Sequence, residues 1–550
     1  MSITGIRWAG PRALLVKLSD LAAVLAFHSR LLAEPLPGQL DAIAAAATVL
    51  LKFGTHAEAL AARTAVGHVD LHEMPQHSPR QVTIEVVYDG EDLAEVGMLT
   101  GLGADGVVAA HTGQLWTAAF GGFAPGFAYL LGENHSLDVP RRSSPRTAVP
   151  AGSVALGGTF SAVYPRQSPG GWQLIGRTTA VLWDLERESP ALVRPGDTVR
   201  YVAVREAVEL TPPQRPAAEE VAGPALVVGS PGLQSLIQDL GRPGLGDLGV
   251  SAAGAVDQQS ARQANRLVGN QPGAAVVETV LGGLSVKADG DQVLAIAGAV
   301  APLEILDASG ATVRRAAMCS PFALLDGETL GLGAPSLGAR SYLAVRGGLD
   351  VQPVLGSRSS DSMSGIGPAP LSAGMRLPVG KAPLFQMVGA PEESTLRLGT
   401  AAAELRVTLG PRDDWFDSGS LKSLAGQDWI TTEQSNRIGV RLAPGGGRAL
   451  ERNGVPERNC VPERGAGELP SEGAVAGSLQ VPPSGHPVLF LADHPVTGGY
   501  PVIAVVVPED IPTAAQLPPG HSVRFTIVDP ATLEPLELAA TGVVPEGTQP

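Results

Sequence analysis

From about residue 80 onward, runs that alternate apolar and polar residues, such as Val82, Ile84 and Val86, are cut every few residues by glycine or proline. Punctuation this dense interrupts helices and suits short strands joined by turns, the texture of a barrel or sandwich. The 550 residues include 68 glycines and 47 prolines, yet 44% are hydrophobic, so the chain folds rather than staying disordered. At about 150 residues per domain this length predicts three or four domains.

The clearest boundary signal is Thr211-Pro-Pro-Gln-Arg-Pro-Ala-Ala-Glu-Glu220, which predicts a linker over 207–223. Ahead of it, Ser19 and Asp20 can cap a helix through Leu21, Val24, Leu25, Leu31 and Leu32, so 1–80 reads as a small α/β domain and 81–206 as a β unit, barrel or sandwich. Beyond it, Asp257 caps a helix carrying Ala261, Ala264, Leu267 and Val268 on one face, with Gly269 as its stop. Most of the rest of the chain continues the same strand-and-turn texture. An internal repeat crosses the linker: Ala151-Gly-Ser153 precedes Ser168-Pro-Gly-Gly-Trp172 as Ala476-Gly-Ser478 precedes Val496-Thr-Gly-Gly-Tyr500, with three extra residues in the second copy.

Several chemistries are excluded. The net charge is −15 and only five residues are lysine, which argues against nucleic acid. No lysine follows a glycine-rich phosphate loop, because Gly380-Lys381 runs into Ala382-Pro383, and none sits in the Met-Lys-Met context of a biotin carrier. G-x-S-x-G and H-E-x-x-H are missing. His68 and His72 stand four apart, but Val69-Asp70-Leu71 alternates like a strand, on which they diverge, so exposed histidines are expected rather than a metal pair. Cys319 and Cys460 cannot build a disulfide framework, and neither a signal peptide nor a membrane span is evident, so the expected location is the cytoplasm.

Two stretches stand out. Phe120-Gly-Gly-Phe-Ala-Pro-Gly-Phe-Ala-Tyr-Leu130 concentrates aromatics in a chain that is 4% aromatic; its glycines let backbone N–H groups approach a ligand, or else form a tight turn packing Phe123 and Phe127 into the core. Val139-Pro-Arg-Arg-Ser-Ser-Pro-Arg-Thr-Ala-Val-Pro-Ala-Gly-Ser153 and Tyr164-Pro-Arg-Gln-Ser-Pro-Gly-Gly-Trp-Gln-Leu-Ile-Gly-Arg177 place Arg142, Arg146 and Arg177 among turns, where they could hold carboxylate or phosphate or else be ordinary solvated loop arginines.

GFAPGFAYL, PRRSSPRTAVPAGSVAL and YPRQSPGGWQLIGRT resemble the B subunit of 5-oxoprolinase, also called allophanate hydrolase subunit 1 or the KipI family, over about 5–205. SPGLQSLIQDLGRPGLGDLGVSAAGAVDQQSARQANRLVGN, AVRGGLD, LGSRSSD, SNRIGVRL, GSLQVPPSGHPV and TGGYPVIAVV resemble the C subunit of 5-oxoprolinase, also called allophanate hydrolase subunit 2 or KipA, over about 224–530. The resemblance implies a fusion in B-then-C order, mainly β, with cyclophilin-like barrels: one after the α/β domain, over 81–206, and two in the second half, over 224–385 and 386–535, followed by a tail over 536–550. The sequence departs from the pattern at Ser435-Asn436-Arg437, where Ser-Asp-Arg is expected, at Asp493-His494-Pro495, where Asp-Arg-Gln is expected, and at Ala44 to Val49, where Pro and Arg are expected.

The function this implies is ATP-dependent opening of 5-oxo-L-proline to L-glutamate, with ATP and Mg2+ bound, no covalently attached biotin, and hydrolysis completed by a separate 5-oxoprolinase A subunit of the LamB/YcsF family. Homo-oligomers are compatible with it. On this reading Arg146, Arg177, Asp257 and Arg437 take catalytic roles. Substrate or nucleotide would contact Gly122, Phe123, Pro125, Gly126, Phe127, Arg142, Ser153, Gly170, Gly171, Trp172, Asp239, Arg242, Asn265, Glu278, Arg346, Gly347, Gly348, Gln480, Gly498, Gly499 and Tyr500. Asp239, Asp257 and Glu278 could also hold a metal, whose ligands are otherwise unassigned. The alternatives are a biotin-dependent carboxyltransferase of urea amidolyase type and a KipI/KipA-type regulator of a histidine kinase.

Overall fold

The computed structural model describes residues 2–69, 80–142, 144, 146–206, 223–453 and 469–536. The expected linker at 207–222, His72, Cys460 and the tail from 537 lie outside the described residues.

At the N-terminus the strands Ile3–Trp8, Ala13–Leu18, Thr48–Phe53 and Gln39–Ala44 form one antiparallel sheet, in that spatial order. Helix Leu21–Ala33 covers it, started by Asp20, whose carboxylate accepts from the Ala23 N–H at 2.8 Å. The helix buries Val24, Phe27 and Leu31 but leaves Leu32 exposed, so the apolar face is narrower than the leucine pattern predicts. Helix His56–Val66 begins with a reciprocal capping box between Thr55 and Glu58.

The next unit is a seven-stranded sheet ordered Gln173–Arg177, Ser153–Gly157, Phe160–Val163, Ala128–Gly132, Trp116–Gly121, Thr198–Ala203, Gln81–Val86. Its two edges meet where Val87 and Arg177 exchange backbone hydrogen bonds of 2.9 and 2.8 Å. The last unit of the chain is a closed barrel in the corresponding order: Val502–Val506, Ser478–Gln480, Val488–Phe490, Gly439–Pro444, Trp429–Thr431, Ser522–Ile527, Ala403–Leu409. In each barrel the first and last strands in sequence run parallel to one another. Trp116 and Trp429 open equivalent strands, and each indole N–H donates to the carbonyl five residues earlier, His111 at 2.9 Å and Leu424 at 3.0 Å. The sequence repeat is therefore a structural one: Ser153 and Ser478 start equivalent strands. Each barrel also carries a small two-stranded flap, Arg146–Val149 with Ser168–Gly170 and Glu472–Gly473 with Thr497–Gly498.

Between the two barrels, the first unit of the second half wraps a six-stranded and a five-stranded sheet around one aliphatic core. Helix Gln258–Leu267 lies on the five-stranded sheet through Ala261, Ala264 and Leu267 and stops at Gly269, whose φ of +70° is the left-handed turn that glycine permits. No single helix among the described residues is long and apolar enough to cross a membrane.

Inside the first barrel, His111 is fully buried, 2.7 Å from the Tyr88 hydroxyl and 2.9 Å from the Ser161 hydroxyl. Burial pushes its pKa down to about 3, so it stays neutral in the fold while an unfolded chain takes up the proton near pH 6.5. The stability this contributes is complete above pH 6.5 and is lost as pH falls, by about 2 kcal/mol at pH 5. Melting of the wild type at pH 7 and pH 5 should therefore differ by more than melting of His111→Gln.

Candidate functional site

The glycine-rich loop joins Trp116–Gly121 to Ala128–Gly132, and its conformation is largely self-contained. The Gly122 N–H donates to the Phe127 carbonyl (3.1 Å), and the Phe127 N–H to the Ala124 carbonyl (2.9 Å). Two N–H groups instead reach the second half of the chain: Phe123 donates to Thr497 Oγ1 at 3.1 Å, and Gly126 to the Leu248 carbonyl at 3.4 Å. The glycines are needed for this approach. A Cβ on Gly121 would collide with the Asp247 carbonyl, and one on Gly122 with the Thr497 hydroxyl. These N–H groups, which the sequence offers as a ligand cradle, here close the loop on itself and seat the other half, and Phe127 packs inward as a core turn would have it.

Behind the loop lies an aromatic cluster. Phe127 sits edge-on to Tyr129, Tyr164 and Trp172, with centroid distances of 5.0 to 5.7 Å, while Phe123 touches Phe127 and Tyr164. Burial pushes the Tyr164 hydroxyl up to about 12, with Tyr129 adding to it and Arg141 and Arg146 opposing it. Burial also raises Tyr129, whose hydroxyl bonds Ser471 and Thr497 of the last barrel. Both phenols are therefore neutral hydroxyl groups at physiological pH. Tyr129 meets Ser471 and Thr497 of the other half, and the charges of Arg146 and Tyr129 both act on Tyr164, so these groups make up a polar seam where the two halves of the chain meet.

Arg142 and Arg146 converge at the start of this seam. Arg142 Nη1 lies 2.7 Å and Arg146 Nη2 2.9 Å from the same oxygen of Asp92, whose other oxygen accepts from the Leu174 N–H at 2.7 Å. Burial pushes the Asp92 carboxyl up, but hydrogen bonds from Arg146 and Leu174 and the two guanidinium charges outweigh it and hold the group below the ordinary carboxylate range. Asp92 thus fixes both arginines. Gly171 accepts from the Arg142 N–H at 2.7 Å, and Gly170 packs against the Tyr164 hydroxyl, so the Gly-Gly-Trp turn forms one wall. Ser153 is buried at the start of its strand, beside Tyr164.

Arg177 does not join them. Its side chain is 55% exposed and pairs with Asp89 at 2.8 Å, because its strand closes the barrel at that point and turns the guanidinium outward.

In the second half, most of the expected ligand residues hold the chain's own backbone. Asp239 accepts from Gly241 N, Arg358 N and the Ser357 and Ser359 hydroxyls at 2.5 to 2.7 Å. Arg242 donates to the Ser359 and Val354 carbonyls, and Arg346 to those of Val268 and Gln386. Asn265 holds the Ala274 carbonyl at 2.8 Å and Gly347 donates to Asn270, with Gly348 packed against Ala274. Asp257 is the helix cap, taking Ser260 N, Ser260 Oγ and Gln516 Nε2 at 2.6 to 3.0 Å, and burial raises its pKa. Asp239 and Asp257 thus spend their oxygens on hydrogen bonds within the protein, and among the described residues no three His, Cys, Asp or Glu side chains converge as a metal cage.

Arg437 is 3% exposed and makes four hydrogen bonds: it bonds Asp493 twice (2.8 and 3.0 Å), the Gly254 carbonyl (2.8 Å) and Glu278. It bridges the last barrel to strand Val276–Val280 and forms the floor of a cavity of about 300 Å³ lined also by Leu236, Arg340, Asn436 and Leu517. These contacts tie the two segments together at the position expected to be catalytic. Asn436 Oδ1 accepts from the Ile438 and Gly439 N–H groups, which an aspartate would do equally well. His494, in place of the expected arginine, is buried on Phe490 and pushed down to about 4 by that burial.

Gly498, Gly499 and Tyr500 follow Thr497 directly, and Gln480 ties to the Tyr500 carbonyl at 3.1 Å. The seam thus unites the glycine loop, Arg142, Arg146 and the Thr-Gly-Gly-Tyr turn. Sequence reading missed Asp92, Gln173 and Thr497 as members; Tyr129 and Tyr164 stand inside the conspicuous motifs but carried no assignment.

Residues 248–527 match the family model for the carboxyltransferase domain, subdomain A and B, and residues 4–193 that for subdomain C and D. The chain is 36% identical over 297 residues to the C subunit of 5-oxoprolinase from Escherichia coli K12, covering 54% of this chain and 88% of that protein. It is 48% identical over 132 residues to the B subunit of 5-oxoprolinase from Escherichia coli O157:H7, covering 24% of this chain and 61% of that one. A crystal structure of TTHA0988 superposes with a TM-score of 0.79 at 35% identity, covering 94% of this chain and 99% of that one.

Proposed function

The chain belongs to the carboxyltransferase-domain family, with subdomains C and D ahead of A and B, and we propose that it is the fused B and C component of an ATP-dependent 5-oxoprolinase. The observation that carries this reading is the seam: the motifs resembling the B subunit meet those resembling the C subunit at the hydrogen bond from Phe123 N–H to Thr497.

A lactam amide is a poor electrophile. Transfer of the γ-phosphoryl group of ATP to its oxygen activates the ring carbon; a first water adds there and the C–N bond opens to leave a glutamyl acyl phosphate, and a second water then releases phosphate. In sum, 5-oxo-L-proline, ATP and two waters give L-glutamate, ADP and phosphate. Such chemistry depends on positioning and on charge opposite the transferred group. Arg142 and Arg146, fixed by Asp92, supply positive charge, and Tyr129 and Tyr164 supply neutral hydroxyl donors. Mg2+, when bound with the nucleotide, would neutralise its phosphates; no side chain is assigned to it.

The experiment is ATP turnover and glutamate release by the purified chain, with and without 5-oxo-L-proline and an A subunit of the LamB/YcsF family. Glutamate should appear only when both are added, and neither avidin nor bicarbonate should matter. Glutamate formed by this chain alone would remove the need for the partner. Strong inhibition by avidin would instead favour the carboxyltransferase reading that the family's description suggests.

A further inference from the structure

Three buried polar atoms near the Asp92 cluster lack any partner: Arg142 Nε, Arg146 Nη1 and Gln173 Oε1. Each belongs to a side chain that is otherwise anchored. Both arginines are fastened to Asp92 through other nitrogens, and Gln173, 2% exposed, donates its amide Nε2 to the Pro140 carbonyl at 3.2 Å. That last bond fixes the amide orientation, since a carbonyl can only accept, so the unpartnered Gln173 atom is the acceptor. The backbone beside Gln173 is held to the same cluster: Leu174 N–H bonds Asp92, and Arg142 N–H bonds Gly171.

We propose that Arg142, Arg146 and Gln173 form a subsite for the amide edge of a lactam, a proposal that rests on the 5-oxoprolinase reading above. Arg142 Nε and Arg146 Nη1 donate to the ring carbonyl oxygen, and Gln173 Oε1 accepts from the ring N–H. The inventory of the site selects this ligand chemistry. A carboxylate or phosphate offers acceptors only and would leave Gln173 unsatisfied; an ammonium offers donors only and would be repelled by the two guanidinium groups. A lactam, whose ring holds the amide cis, presents one carbonyl acceptor and one N–H donor side by side. The two-stranded flap Arg146–Val149 with Ser168–Gly170 carries one of the arginines. Asp92 is the positioning residue that holds both guanidinium groups at the required place.

The test compares binding of 5-oxo-L-proline, N-methyl-5-oxo-L-proline and L-proline to the full-length chain by calorimetry. The wild type should bind 5-oxo-L-proline about tenfold or more tighter than its N-methyl analogue, and L-proline not at all. Gln173→Met, which keeps the shape and removes the acceptor, should bind both lactams equally weakly. Equal affinity of the wild type for the two lactams overturns the subsite while leaving the 5-oxoprolinase reading intact, as does a folded Gln173→Met that still discriminates between them. Should that variant fail to fold, the wild-type comparison decides alone. No binding of any lactam and no ATP turnover stimulated by 5-oxo-L-proline with the A subunit present would overturn the reading itself.

Discussion

Replacing Arg437 by methionine is expected to destabilise the second half of the chain by about 3–5 kcal/mol, the range measured when one partner is removed from a buried ion network. Arg437 is the shared partner of Glu278 and Asp493, both of which are at most 4% exposed. Without it, Arg340 remains 3.8 Å from Glu278, but Asp493 keeps only the Ser362 N–H and hydroxyl. A buried carboxylate with two neutral donors is far from compensated. The triple variant Arg437→Met, Glu278→Gln, Asp493→Asn should recover a substantial part of the loss, since it removes the charges together rather than stranding them. The urea midpoint of the corresponding transition measures both. A loss under about 1 kcal/mol for the single variant, the range of exposed pairs, would show that water reaches this network through the adjoining cavity.

The local features were the legible ones. Asp20 and Asp257 announce helix starts because a cap is decided within three residues, and Gly269 announces an end because only its own φ is at stake. The repeat was legible because equivalent strands in two similar barrels place the same small residues and turns at the same points. What the sequence hid is which distant groups meet. Arg146 and its partner Asp92 are 54 residues apart, and Arg437 and Glu278 are 159 apart, with nothing in either segment to name the other. An arginine in a motif looks the same whether it meets a ligand or, as Arg242 and Arg346 do, a backbone carbonyl of its own domain. Glycines are equally ambiguous: those of the Gly121 to Gly126 loop have the freedom a ligand cradle needs, but the space they leave is filled by Asp247, Leu248 and Thr497.

That filled space makes the loop a sensitive point for activity. Gly121→Val should lower turnover by about 100-fold, the loss that follows from a displacement of about 1 Å at a site built from two pieces. A Cβ at position 121 meets the carbonyl oxygen of Asp247, a backbone atom in the short helical turn Gly246–Leu248 that cannot swing aside as a side chain would. The loops must therefore separate, which pulls Phe123 N–H away from Thr497 and opens the seam between Tyr129 and the last barrel. The halves remain joined elsewhere, through contacts such as the Ala46 N–H on the Ser471 carbonyl and His56 on the Pro530 carbonyl, so circular dichroism should be nearly unchanged. Gly426→Ala is the control, since a Cβ there meets nothing within 4 Å. Turnover stimulated by 5-oxo-L-proline, measured with the A subunit present, should fall only for Gly121→Val; near-normal turnover in that variant would mean that chemistry does not take place at the junction of the two halves.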